Sequence, residues 1–187
     1  MNNISVVIPV YNEAKILHTF LMYLQKINSN NIIEFLVVDG GSSDSSKAIV
    51  LEFSKKYTKF KSIDSPKGRA VQMNTAAAQA KGDILYFLHA DSLPPKEFSE
   101  HILEAVGNGS KSGCFKMKFD SSHWGLKIAG WLTRFNWKSC RGGDQSLFIE
   151  KNLFKQIGGY DETFLVYEDN DLIYKLYKYS NFKVIQH

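Results

Sequence analysis

Ile33-Glu34-Phe35-Leu36-Val37-Val38-Asp39-Gly40-Gly41-Ser42-Ser43-Asp44 is the stretch that decides the fold. A nearly continuous apolar run is what a strand buried on both faces requires. This run ends on a carboxylate and a glycine-rich turn. Ser43 is placed to cap a following helix that carries Ala48, Ile49, Leu51 and Phe53. An acidic residue at the end of a buried strand stands where an open α/β sheet places its ligands.

The same order recurs on either side. Residues 4–10 read as an apolar strand closed by Pro9-Val10-Tyr11-Asn12-Glu13, and Ile16, Leu17, Phe20, Leu21, Leu24 and Ile27 then share one helical face. Residues 60–63 read as a short strand, Pro66-Lys67-Gly68 breaks it, and 69–80 read as a helix. That helix is small-sided (Ala70, Ala76, Ala77, Ala78, Ala80) and can approach a sheet closely. Residues 84–88 form the next apolar run, and Pro94-Pro95 is placed to start a helix through Val106. Alternating strands and helices predict an α/β fold, with a mostly parallel, Rossmann-like central sheet covered by helices on both faces.

Residues 107–187 are more irregular. Gly107-Asn108-Gly109-Ser110 is a loose connection. Residues 114–119 alternate, with Cys114, Lys116 and Lys118 opposite Phe115, Met117 and Phe119, and predict a strand with one polar face. Trp124, Ile128, Trp131, Leu132 and Phe135 follow helical spacing. They suit packing on the sheet, or, with Lys127, Arg134 and Lys138 interleaved and Trp137 beside them, a face that meets a membrane surface or a second copy of the chain. Arg141-Gly142-Gly143-Asp144-Gln145 is a glycine-rich loop. Residues 153–157 read as a short helix, 168–179 as a longer one and 182–185 as a last strand.

The chain has 187 residues, 44% of them apolar, and a net charge of +4. That predicts one globular domain, which the change of texture near Gly107 divides into residues 1–106 and 107–187. No basic stripe points to nucleic acid. No apolar run approaches the roughly 20 residues that span a bilayer. Met1-Asn2-Asn3 lacks the basic region of a signal peptide, so the expected place is the cytosol, with peripheral contact at the inner membrane face as the further option. Cys140 and Cys114 have no metal or redox spacing and are expected to be thiols.

Two familiar phosphate motifs are absent. No G-x-G-x-x-G follows the first strand, and there is no G-x-x-x-x-G-K-[ST]. What is present, in order, is Ile8-Pro9-Val10-Tyr11-Asn12-Glu13, Val37-Val38-Asp39-Gly40-Gly41-Ser42-Ser43-Asp44, Gly68-Arg69-Ala70-Val71-Gln72-Met73-Asn74, Leu88-His89-Ala90-Asp91, Gly143-Asp144-Gln145, Gly158-Gly159-Tyr160 and Glu168-Asp169. This ordered set resembles the family 2 glycosyltransferases of the GT-A fold, and a bacterial subgroup of them.

The resemblance implies an inverting transfer of a sugar from a UDP- or GDP-sugar to an acceptor hydroxyl, in cell-envelope glycan or glycolipid synthesis. The acceptor would be a saccharide or a lipid-linked molecule. Asp39 would accept hydrogen bonds from the base, with Pro9, Tyr11 and Glu13 lining the nucleotide pocket and Arg69 pairing with a phosphate oxygen. A departing diphosphate calls for a divalent cation with hard oxygen ligands, Mg²⁺ or Mn²⁺. Asp91 is the last acidic residue of the family's D-x-D motif; His89 stands where the first Asp is expected and would touch the ribose or the metal. His187 would be a third ligand. Asp169, or its neighbour Glu168, would take the acceptor proton. Asp144 and Gln145 would meet the acceptor or the donor sugar.

Taken singly, each residue has a plainer explanation. Asp39 suits a turn, Asp91 a helix cap, and Glu168 and Asp169 the positive end of a helix dipole. Two other functions fit parts of the pattern: a sugar nucleotidyltransferase, which would want a glycine- and lysine-rich first loop, and a non-catalytic nucleotide-sugar-binding subunit.

Overall fold

The computed structural model describes residues 2–117, 124, 130, 131, 133, 145–164 and 167–186. The expectations for Lys118, Phe119, the 125–129 and 134–144 segments (Asp144 and Cys140 among them), Leu132 and His187 lie outside the described residues.

Seven strands make one sheet in the order β3-β2-β1-β4-β6-β5-β7. They are β1 (Ile4–Val10), β2 (Ile32–Asp39), β3 (Phe60–Asp64), β4 (Ile84–Phe87), β5 (Ser112–Phe115), β6 (Leu147–Glu150) and β7 (Phe182–Ile185). The helices are α1 (Ala14–Lys26), α2 (Ser46–Lys56), α3 (Arg69–Gln79), α4 (Phe98–Gly107), α5 (Lys151–Gln156) and α6 (Glu168–Tyr179). Strands β1–β4 pair in parallel, and so do β5 and β7; β6 runs antiparallel to both its neighbours.

The sheet separates two apolar layers, as its period-2 side-chain alternation requires. On one face Val6, Ile8, Phe35 and Val37 meet Leu17, Phe20 and Leu24 of α1, Val50 and Phe53 of α2, and Phe98 and Ile102 of α4. On the other, Val7, Leu36, Val38 and Phe87 meet Ala70, Met73, Ala76 and Ala77 of α3, Leu153 and Phe154 of α5, and Leu172 and Leu176 of α6. The alanines of α3 do what their size implies and bring its axis close over β1 and β2. The expected α/β sheet with helices on both faces is therefore the observed one.

Four local expectations change. Ser43 does not cap α2, which starts at Ser46. The backbone and hydroxyl of Ser43 are instead bound to Asn12. Pro94-Pro95 precedes α4 by three residues, since the helix begins at Phe98. The strand expected over 114–119 is Ser112–Phe115, and all four residues are buried rather than one face being polar. It is an internal strand, paired on both sides. The short helix is Lys151–Gln156 rather than 153–157.

Among the described residues no helix is long and apolar enough to cross a membrane. Cys114 is buried. Trp124 and Trp131 are exposed.

Candidate active site

Strand β1 pairs with both β2 and β4, so their C-terminal ends lie side by side. Each strand ends in a different loop, and the loops leave a cavity of about 760 Å³ at that edge. Pro9, Tyr11 and Glu13 enter it from β1; Arg69 from the start of α3; His89 and Asp91 from the segment after β4; Glu168 and Asp169 from the start of α6. Residues up to 160 positions apart in the chain thus share one cavity at the place where α/β sheets bind ligands.

The β1 end is held by a zipper of side chains. Asn12 has a left-handed backbone (φ 58), which asparagine tolerates better than most residues. Its Oδ1 accepts the N–H of Ser43 at 2.8 Å, and its own N–H donates to Ser42 Oγ at 3.0 Å. The Asp44 carboxylate accepts from Ala14 N (3.0 Å) and Ser46 N (2.9 Å), and Ser46 Oγ accepts from Glu13 N (2.8 Å). The loops after β1 and β2 are therefore one unit, which fixes Tyr11 and Glu13 on the wall. Across the mouth, Lys67 Nζ donates to the Tyr11 hydroxyl at 3.1 Å and lies 4.3 Å from the ring centroid.

Asp39 is 2% exposed and pairs in register with Val10 of the cavity wall. It stands behind that wall rather than on it. Its Oδ2 accepts the N–H groups of Gly41 (3.1 Å) and Ser42 (3.0 Å), while Oδ1 is buried with no partner among the described residues. A buried acceptor without a donor is costly to leave so, and a ligand N–H is a natural partner.

Two residues outside the sequence-based candidates organise this edge. Gln72 of α3 is 3% exposed, and its Nε2 donates to the carbonyls of Val10 (2.9 Å) and Val38 (2.8 Å). One amide thereby ties the ends of β1 and β2 together. Gly40 makes room for it, since a Cβ there would fall 2.8 Å from the amide carbon. Asn74, two residues further on, donates to the carbonyl of Tyr160 (2.9 Å) and accepts its N–H (3.0 Å). A Cβ on Gly159 (φ +69) would fall 2.8 Å from Asn74 Oδ1, so the Gly158-Gly159 turn serves this clasp. Helical period was the available signal for Gln72, a polar residue on the otherwise apolar, small-sided face of Ala70, Met73, Ala76 and Ala77; Asn74 lies off that face and gave none.

The acidic pair is buried, Glu168 at 4% exposure and Asp169 at 7%. Arg69 Nη1 lies 3.6 Å from Glu168 Oε1 and 3.7 Å from Asp169 Oδ2, while the arginine side chain itself stays half exposed. Tyr160, clasped by Asn74, packs against Phe87 and Phe154. Burial first, then the charges of Asp169 and Glu168, raises its phenol well above the ordinary range, so it stays protonated beside them.

Asp91 and His89 also line the cavity; Asp91 is exposed and His89 is 9% exposed. Burial, followed by the charges of Asp91 and Asp44, raises the Glu13 carboxyl above its ordinary value. Oxygen donors therefore gather here, though no group of three or more His, Cys, Asp or Glu converges among the described residues. One or two carboxylates completed by phosphate oxygens and water is the usual provision for Mg²⁺-like ions, so Asp91 fits that role. Gln145 is placed elsewhere: it is buried two residues before β6, with Nε2 3.5 Å from the Phe115 carbonyl, and does not line the cavity.

Known proteins share this fold. YdaM of Bacillus subtilis, a probable glycosyltransferase, is 27% identical over 199 residues, covering 93% of this chain and 46% of YdaM. The structure of S. aureus TarS 1-349 in complex with UDP superposes with a TM-score of 0.78 at 20% identity, covering 98% of this chain and 57% of that one. Mannosyltransferase PcManGT from Pyrobaculum calidifontis, solved in complex with GDP-Man and Mn2+, gives 0.74 at 16% identity, covering 100% of this chain and 56% of that one. The chain thus spans about half the length of the relatives it matches. The solved structures share its fold, the GT-A arrangement, and residues 5–159 match Glycosyl transferase family 2. The chain belongs to the family 2 glycosyl transferases.

Proposed function

We propose that this chain carries the donor site and the catalytic base of an inverting glycosyltransferase, which moves a sugar from a UDP- or GDP-sugar to an acceptor hydroxyl. The observation that carries this reading is the convergence of Tyr11, Arg69, Asp91 and the buried Glu168–Asp169 pair on one cavity at the sheet edge. Residues 1–106 hold the donor and 107–187 the acceptor.

The base sits at the ends of β1 and β2, where the unpartnered Asp39 Oδ1 accepts a ring N–H. Pro9, Tyr11 and Glu13 bound the nucleoside. Arg69 is half exposed to the cavity, so its guanidinium can reach a phosphate oxygen while it still faces the acidic pair. Asp91, with His89 and Glu13 nearby, would hold Mg²⁺ or Mn²⁺. When bound, such an ion offsets the charge that builds on a departing diphosphate.

Asp169 accepts the acceptor's hydroxyl proton as its oxygen attacks the anomeric carbon. The new C–O bond forms on the face opposite the leaving group, the bond to the diphosphate oxygen breaks, and the nucleoside diphosphate departs. A single displacement inverts the anomeric centre. Burial and the neighbouring carboxylate charges raise the Tyr160 phenol, so it stays protonated beside Asp169.

A thermal-shift screen tests the donor site. UDP, GDP and their sugars are added with Mg²⁺ or Mn²⁺ to wild type and to Asp39→Ala. At least one nucleotide should raise the wild-type midpoint, and Asp39→Ala should abolish the rise. A rise that survives Asp39→Ala means the nucleotide pocket is misplaced.

A further inference from the structure

We propose that Tyr167 and Asn170 form a platform for a pyranose ring, so that the acceptor is a saccharide presenting the face of a ring rather than an open-chain polyol. The proposal rests on the glycosyl-transfer reading and names the acceptor class of that same cavity.

The acceptor hydroxyl must come within hydrogen-bond reach of Asp169. The rest of the acceptor therefore lies against whatever flanks Asp169 in the cavity. Two exposed side chains do so: Tyr167, 67% exposed, and Asn170, both on the cavity wall and on either side of the buried carboxylates. Asn170 projects from the first turn of α6 and Tyr167 from the N-cap just before it, so both border the same part of the cavity.

Neither side chain serves the fold. Among the described residues, those of Tyr167 and Asn170 make no hydrogen bond, ion pair or ring contact. Tyr167 also has a left-handed backbone, φ 77 and ψ 10, in the N-cap position of α6. A residue with a Cβ pays about 1 kcal/mol or more for that conformation, and a large aromatic gains nothing local in return. A strained aromatic held out into a cavity beside buried carboxylates is a ligand surface in search of a flat, partly apolar partner.

A pyranose has that chemistry. Its C–H groups form an apolar face with slight positive charge, which suits the electron-rich face of an aromatic ring. Its vicinal hydroxyls both donate and accept, as an asparagine amide does. The ring on Tyr167 and the amide of Asn170 would set one hydroxyl toward Asp169. An open-chain polyol has hydroxyls but no persistent face, so it loses the stacking half.

Saturation-transfer NMR tests the platform on the full chain with UDP or GDP and Mn²⁺ present. The probes are methyl β-D-glucopyranoside, methyl α-D-mannopyranoside and methyl N-acetyl-β-D-glucosaminide, with sorbitol as the ringless control. Wild type should transfer saturation to the ring C–H protons of at least one pyranoside, and not to sorbitol. Tyr167→Ala should lower that transfer at least fivefold, Asn170→Ala about threefold, and Tyr167→Phe should retain it. Tyr174→Ala, on an exposed residue of the same helix, should have no effect. The nucleotide-induced thermal shift of Tyr167→Ala reports that its fold and donor pocket persist. If the shift is present but no pyranoside responds, or if Tyr167→Ala responds like wild type, the platform is wrong. If wild type shows no nucleotide shift at all, the transfer reading fails and the platform fails with it.

Discussion

Replacing Gln72 by Met should loosen the edge of the sheet that carries the nucleotide pocket. The side chains have similar volume, so the substitution removes the amide without opening a cavity. It deletes two hydrogen bonds, from Nε2 to the carbonyls of Val10 at 2.9 Å and Val38 at 2.8 Å. A buried hydrogen bond contributes about 0.5–1.5 kcal/mol net, and more when its loss strands a partner. The Val10 carbonyl keeps the N–H of Gly40 at 2.9 Å, so its loss is at the low end. The two together amount to about 2 kcal/mol. For a domain of this size that lowers the melting midpoint by roughly 4–8 °C. Urea denaturation followed by circular dichroism measures the free energy directly. A double-mutant cycle with Gly40→Ala sharpens the test, because the Cβ at position 40 collides with the Gln72 amide. Gly40→Ala should cost less in a Gln72→Ala background than in wild type. A Gln72→Met protein within 0.5 kcal/mol of wild type would refute the view that this amide ties β1 to β2.

Three further outcomes follow from the geometry. Asn74→Ala breaks the clasp on Tyr160 and should cost about 2 kcal/mol in urea; it should also lower kcat at least tenfold with donor KM unchanged, since it acts through Tyr160 on the acidic pair. Glu34 is buried, and although burial works to raise its carboxyl, hydrogen bonds from Lys61, the Lys81 N–H and Ser5 hold it below the ordinary 4.5. Its contribution is therefore complete above the unfolded value and is lost as pH falls through the lower folded one, so urea midpoints between pH 6 and pH 3 should fall less steeply for Glu34→Gln than for wild type. Asp91→Asn should raise the Mn²⁺ concentration needed for a half-maximal nucleotide thermal shift at least tenfold, and EDTA should cancel the metal-dependent part of the wild-type shift.

Where one residue's environment is local, the sequence was readable. Strand β2 and Asp39 follow from a run of apolar residues and a glycine turn that are contiguous in the chain. The side on which α3 packs follows from its alanines. Strand β6 was not foreseen, because its antiparallel place between β4 and β5 is a tertiary fact. The capping role expected of Ser43 failed for a similar reason: Asn12, 31 positions away, claims it. The candidate residues of β1, α3, β4 and α6 could be named from motifs, but not their mutual positions. That Arg69 faces Glu168 and Asp169, and that Gln145 turns away toward β5, required the fold.

Release of nucleoside diphosphate from nucleotide-sugars, by wild type and Asp169→Asn, is the measurement closest to the central claim. UDP- and GDP-sugars are supplied with Mn²⁺ and a mixed panel of saccharide acceptors, and free UDP or GDP is quantified. Wild type should turn over at least one donor, and Asp169→Asn should be slower by a factor of about 10²–10⁴ while keeping the same nucleotide-induced thermal shift. Turnover of that donor by Asp169→Asn at the wild-type rate would contradict the assignment of the base, and no turnover of any donor by wild type would contradict the proposed activity of this chain.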